Sequence, residues 1–170
     1  MTNKKYELTE ESKTTGNTTL YRIKALRDFR GIKAGDLGGW IEKEANLSHD
    51  NDCWVYDDAQ VEGNARIEGN ALVGGNATVY DDAQVGGYVR VKGNARIEGN
   101  ALVCEGEYTS TVINLPLPQY SITVLSTGKL QIGCQLRTIE EWKTTTLEQA
   151  VGMGLKEENY ELFMKYINMQ

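Results

Sequence analysis

VYDDAQ (55–60), VEGNAR (61–66), IEGNAL (67–72), VGGNAT (73–78), VYDDAQ (79–84), VGGYVR (85–90), VKGNAR (91–96) and IEGNAL (97–102) are copies of one six-residue phrase, and a ninth copy opens at Val103. Position one is always Val or Ile. Position five is Ala in every complete copy except the sixth, where it is Val89. A period of six is neither a helical stripe nor strand alternation over a long run; it is that of a short strand and a corner, repeated. The β-branched residue suits a pleated strand and points inward, while the small residue at position five lets backbone pass close to the core. Positions three and four are mostly Gly-Asn or Asp-Asp, which tolerate the left-handed dihedrals of a corner. Positions two and six carry mainly Glu, Arg, Lys, Gln or Tyr and should face water. One unit cannot bury its own apolar face, so the units must stack.

The pattern aliphatic-x-x-x-small-x resembles the hexapeptide-repeat superfamily. The resemblance implies a left-handed parallel β-helix with three hexapeptides per coil. GDLGGWIE (35–42), CWVYDDAQV (53–61) and the GNA copies are also similar to small hexapeptide-repeat proteins of phages and prophages. That similarity implies a trimer with parallel axes and ligands held in the clefts between protomers.

The expected architecture is mainly β: a small N-terminal β module over 1–40, a three-sided parallel β-helix over 41–108, and a C-terminal α+β module over 109–170. In the first module Tyr6–Thr9 and Leu20–Leu26 read as strands and 10–18 as a polar loop. Leu47 follows Ile41 by six, but Val55 follows Leu47 by eight, so SHDNDCW carries an insertion on one edge. Beyond the repeat, 121–125, STG and 129–136 read as a hairpin with Leu130, Ile132, Cys134 and Leu136 on one face. Thr138 with Glu141 and Thr145 with Glu148 match capping boxes. A last helix over 156–168 carries Tyr160, Phe163, Met164 and Ile167 as a stripe.

The chain of 170 residues has net charge −6, unevenly spread. Residues 1–33 hold eight Lys and Arg against four Asp and Glu, whereas 34–103 hold five against twelve. An acidic body gains nothing from phosphate counterion release, which argues against general nucleic-acid binding. No apolar stretch approaches the roughly 20 residues of a membrane span, and MTNKKYELTEESK has no signal-peptide core. Cys53, Cys104 and Cys134 form neither a disulfide framework nor a zinc spacing, and the expectation is reduced thiols in a cytoplasmic protein.

The chemistry is narrow. His49 is the only histidine, which excludes a three-histidine metal centre and leaves one candidate general base, as in hexapeptide acyltransferases. The alternative is an exposed loop histidine. The Asp pairs 57–58 and 81–82 read as corners rather than calcium ligands, and no cofactor is indicated. Arg27, Arg30 and Lys33, with Arg90, Lys92 and Arg96, are candidate anion-binding residues; the alternative is that they neutralise neighbouring Glu side chains. Leu72 and Leu102 stand where polar residues belong and are candidate interface positions. Three functions remain open. One is a non-catalytic, oligomeric phage-type protein that sequesters or blocks a host component or a small anionic ligand. The others are an acyltransferase with His49 as base, and a structural or virion-associated spacer.

Overall fold

The hexapeptides close into a three-sided parallel β-solenoid of about four turns. The computed structural model describes residues 4–109, 113–117, 120–124, 129–132, 135–153 and 155–168. The first wall stacks β3 (Leu37–Ile41) and the rungs Gln60–Val61, Thr78–Val79 and Arg96–Ile97. The second stacks Trp54–Val55, Leu72–Val73, Arg90–Val91 and Glu107–Tyr108. The third stacks Arg66–Ile67, Gln84–Val85 and Leu102–Val103. Residues 18 apart are neighbours on adjacent coils, so Leu72 lies opposite Arg90 and Arg66 opposite Gln84. Around the first coil the offset is larger, Leu47 opposite Ile67 and Ile41 opposite Val61, because of the extra residues in 48–54.

Each coil is sewn to the next by backbone bonds such as Gln60 N to Ala77 O (2.9 Å) and Glu62 N to Val79 O (3.0 Å). Val55, Val61, Ile67, Val73, Val79, Val85, Val91, Ile97 and Val103 all point inward and are buried, with the position-five residues between them. Burying each such side chain is worth about 1.5–3 kcal/mol. Corners need a left-handed residue at position three: Gly75 has φ 66°, and a Cβ there would come within 2.9 Å of the Gly93 amide nitrogen. Asp57 and Asp81 take the same conformation, and each turns its carboxylate onto the glycine amide one coil on, Gly75 and Gly99, at 3.0 Å. The Asp pairs are therefore corner residues.

The N-terminal module differs from expectation. β1 (Tyr6–Thr15) runs through most of the stretch read as a loop and turns at Gly16–Asn17 into β2 (Thr18–Ala25). The sequence hid this because β1 is largely solvated, so it shows no apolar alternation. β2 pairs with β3, and the hairpin extends the first wall below the solenoid. Tyr6, Ile23, Phe29 and Ile32 join the solenoid core at that end. Gly38 permits the close approach: a Cβ there would sit 2.6 Å from Ile23 Cγ1 and Val55 O.

At the other end, strands Ile113–Leu117, Tyr120–Val124, Lys129–Ile132 and Gln135–Thr138 form an antiparallel sheet. The expected single strand 129–136 is two strands, because Ile132 pairs with Gln135. Cys134, Leu125 and the segment 126–128 expected to turn lie outside the described residues, as do the side chains of Ile132 and Leu136. Helix α1 (Ile139–Lys143) starts on the Thr138–Glu141 capping box. Helix α2 (Leu147–Gly152) is capped by Thr146 with Gln149, not by Thr145 with Glu148. Adjacent positions both match the motif; Thr145 is instead buried, its hydroxyl on the Glu141 carbonyl at 3.3 Å. Helix α3 (Tyr160–Ile167) follows a 3-10 turn at 157–159, which shortens the expected helix. Phe163 and Ile167 pack with Leu130, Trp142, Ala150 and Leu155 into a core separate from that of the solenoid. Among the described residues no helix is long and apolar enough to cross a membrane.

Val79→Asp would bury an unpaired carboxylate in a middle coil and cost several kcal/mol. Thermal unfolding should show a large fall in Tm or an insoluble product; an unchanged Tm would contradict this register.

Candidate functional site

His49 lies in the insertion loop, with both ring nitrogens engaged. Nδ1 accepts from the Lys5 backbone N–H at 3.2 Å, so the ring proton belongs on Nε2, which is 2.7 Å from Glu44 Oε1. The ring stacks on Tyr6 at 4.4 Å between centroids. No lone pair is left to take a proton from a substrate, and the arrangement ties the N-terminal strand to the first coil. Glu44 also pairs with Lys4 at 2.7 Å. The hydrogen bonds from Lys4 and His49 hold its carboxyl below the usual range.

Beside it, Lys5 is fully buried, its Nζ 2.8 Å from the Cys53 carbonyl and 3.2 Å from Cys53 Sγ. The Asp50 and Asn51 carbonyls complete the cage at 3.4 and 3.3 Å. Burial lowers the Lys5 pKa and raises that of the Cys53 thiol, so the thiol is no activated nucleophile.

The six candidate anion-binding cations divide. Lys33 is paired with Asp28 at 2.8 Å, and Lys92 with Glu107 at 3.1 Å. Arg96 donates to the Tyr80 hydroxyl at 2.7 Å and lies 3.9 Å from Glu98, on the first wall and away from Arg90. Arg27 lies over the Phe29 ring at 5.6 Å. Arg27, Arg30 and Arg90 have no ion-pair partner among the described residues; Arg30 donates to the Asn70 carbonyl on the coil below Arg90. Burial raises the pKa of the Tyr56 hydroxyl; Arg30 opposes that shift, Asp57 adds to it, and Arg90 opposes it less than either.

The second wall builds this cluster. Its outward row runs Trp54, Leu72, Arg90, with Tyr56, Gly74 and Lys92 one position further round. Gly74 leaves the space above Tyr56 open. Residues 29–32 fold over Trp54, with Phe29 edge-on to the indole at 5.3 Å. A recess of about 320 Å³ remains, lined by Arg30, Ile32, Asp36, Leu37, Trp54 and Tyr56 among others. Sequence reading missed Trp54, Tyr56 and Tyr88. The available signals were aromatics on both sides of inward Val55, and a Tyr at position four where other copies have Asn or Asp.

Leu72 and Leu102 are both half-buried, but on the second and third walls respectively, so they form no common patch. The decapeptide GNARIEGNAL occurs at 63–72 and again at 93–102. An offset of 30 is not a whole number of coils, so identical sequence lands on different walls.

Comparison with known proteins agrees with the fold. Residues 71–87 match a family model described as the YdcK beta solenoid repeat. The chain carries a β-solenoid repeat. An alignment of 62 residues is 39% identical to a protein of Escherichia coli (strain K12) named uncharacterized acetyltransferase YdcK. It takes in 32% of this chain and 19% of that protein, so the chain spans about a fifth of that relative's length. Both matches support a hexapeptide-repeat β-helix.

Glu44→Gln tests the tether at the start of the solenoid. A carboxylate with a depressed folded pKa contributes stability above its unfolded pKa and loses it as pH falls through the folded value. The Tm gap between wild type and Glu44→Gln should therefore be present at neutral pH and close below the ordinary carboxylate range; a pH-independent gap would contradict the pairing.

Proposed function

We propose that the chain is a non-catalytic, oligomeric binding protein of the phage type, which sequesters or blocks a small anionic ligand or a host component in the cytoplasm. The observation that carries this reading is the recess bordered by Arg30, Trp54 and Tyr56, with no ion pair to Arg30 among the described residues, on a body of net charge −6. Positive charge concentrated at one recess of an acidic molecule attracts a compact anion and repels a long polyanion elsewhere. The trimer is part of the proposal. Leu72 and Leu102 on different walls suit a heterologous ring contact, in which one wall of a protomer meets a different wall of its neighbour.

Acetyl transfer is the second reading, favoured by the name of the E. coli relative. Against it stands His49, whose Nδ1 is taken by the Lys5 amide and whose Nε2 faces Glu44.

Native mass spectrometry of the protein from its host reports stoichiometry and bound species together. A trimer carrying a small anion is expected, with Leu72→Glu/Leu102→Glu shifted to monomer; a wild-type monomer would remove the oligomeric part. Incubation with acetyl-CoA and amine acceptors should release no coenzyme thiol, and release that disappears in His49→Ala would establish the second reading instead.

A further inference from the structure

We propose that Arg30, Tyr88 and Arg90 form a site for a nucleoside mono- or diphosphate, the guanidiniums holding phosphate and Tyr88 the base. The proposal rests on the binding reading above and specifies its ligand and residues.

Arg30 occupies a conformation that its side chain does not favour. Phe29 and Ile32 exchange both backbone bonds, at 3.1 and 2.7 Å, leaving Arg30 and Gly31 as a two-residue turn. Both have positive φ, 44° and 85°. Such a turn is built for Asn-Gly, and an arginine in it is strained. The strain places the guanidinium against the solenoid, where Nη1 donates to the Asn70 carbonyl at 2.8 Å. Asn70 lies one coil beneath Tyr88, because Leu72 and Arg90 are rung partners. Tyr88 is 77% exposed, the most exposed of the large hydrophobic side chains among the described residues, and it precedes Arg90 by two positions. Arg30 thus reaches the corner of the second wall that carries Tyr88 and, two residues on, Arg90, while also bordering the 320 Å³ recess with Trp54 and Tyr56.

Arg30 and Arg90 form no ion pair among the described residues, and the carboxylates nearby each accept a hydrogen bond from another group. Asp57 has its carboxylate on the Gly75 amide, Asp36 on the Lys33 amide, and Glu107 on Lys92. Planar guanidiniums match phosphate oxygens in pairs. A base on an exposed tyrosine gains stacking energy without needing a matched hydrogen-bond edge. The acid elsewhere on the surface limits the ligand to a single nucleotide.

The test is titration calorimetry of the full chain with ADP, ribose 5-phosphate and inorganic phosphate, alongside thermal unfolding. ADP should bind more tightly than ribose 5-phosphate, and Tyr88→Ala should bring the two close together. Arg30→Asn should weaken ADP by roughly tenfold, the effect of one charge-assisted hydrogen bond, while Tm holds or rises because Asn suits the turn. Arg90→Gln should weaken ADP similarly. If wild type binds inorganic phosphate as well as ADP, the nucleoside class is overturned although an anion-binding protein remains. If wild type binds none of the three, the nucleotide site is overturned, and the broader reading stands or falls on the native mass spectrum. If ADP binds but ignores both arginine substitutions, the site is wrong.

Discussion

Every feature of the solenoid answers to one requirement: each coil must present its amides to the carbonyls of the coil 18 residues on. That ladder leaves no room for a Cβ between stacked corners such as Gly75 and Gly93. It also explains why Asp is acceptable at two of them, since its carboxylate takes up a glycine amide of the neighbouring coil. With the backbone thus fixed, inward positions need only be aliphatic or small, and outward positions are free to vary. Chemistry on this fold is therefore confined to what the outward rows and the ends carry.

The N-terminal end shows how much construction that takes. The first coil holds extra residues, and its loop would leave carbonyls of Asp50, Asn51 and Cys53 facing inward. The buried Lys5 ammonium satisfies them. His49 and Tyr6 close over the same junction, Tyr6 with its hydroxyl at 2.8 Å from the carbonyls of Glu44 and Leu47. Lys5, Tyr6 and His49 thereby join the hairpin to the stack.

The repeat made the solenoid legible because its period forces the architecture, and the inward Val and Ile follow directly from position one. The long β1 was not legible, since a two-sided solvated strand such as YELTEESKTT lacks the alternation that announces strands. Nor could the second capping box be placed from sequence, where Thr145 and Thr146 offer the same motif one residue apart. The candidate site was visible only as six cations. Some of their partners lie 15 or 16 residues away, the Glu107 carboxylate for Lys92 and the Tyr80 hydroxyl for Arg96. The aromatic partners lay in plain view beside Val55, but their meeting with Arg30 depends on a turn that few would write with arginine.

The repeated decapeptide has a consequence for how the chain finds its register. Residues 63–72 and 93–102 are the same ten letters, so neither local propensity nor core complementarity tells one from the other during folding. A chain that slipped by a whole number of hexapeptides would still fill the core with Val, Ile and Ala, and would still satisfy nearly every amide. The penalty for such an error appears only where the repetition stops, above all at Trp54, Cys53 and the Lys5 cage, which accept one alignment. The correct count is thus fixed where the sequence stops repeating, much as a zip is aligned by its stops.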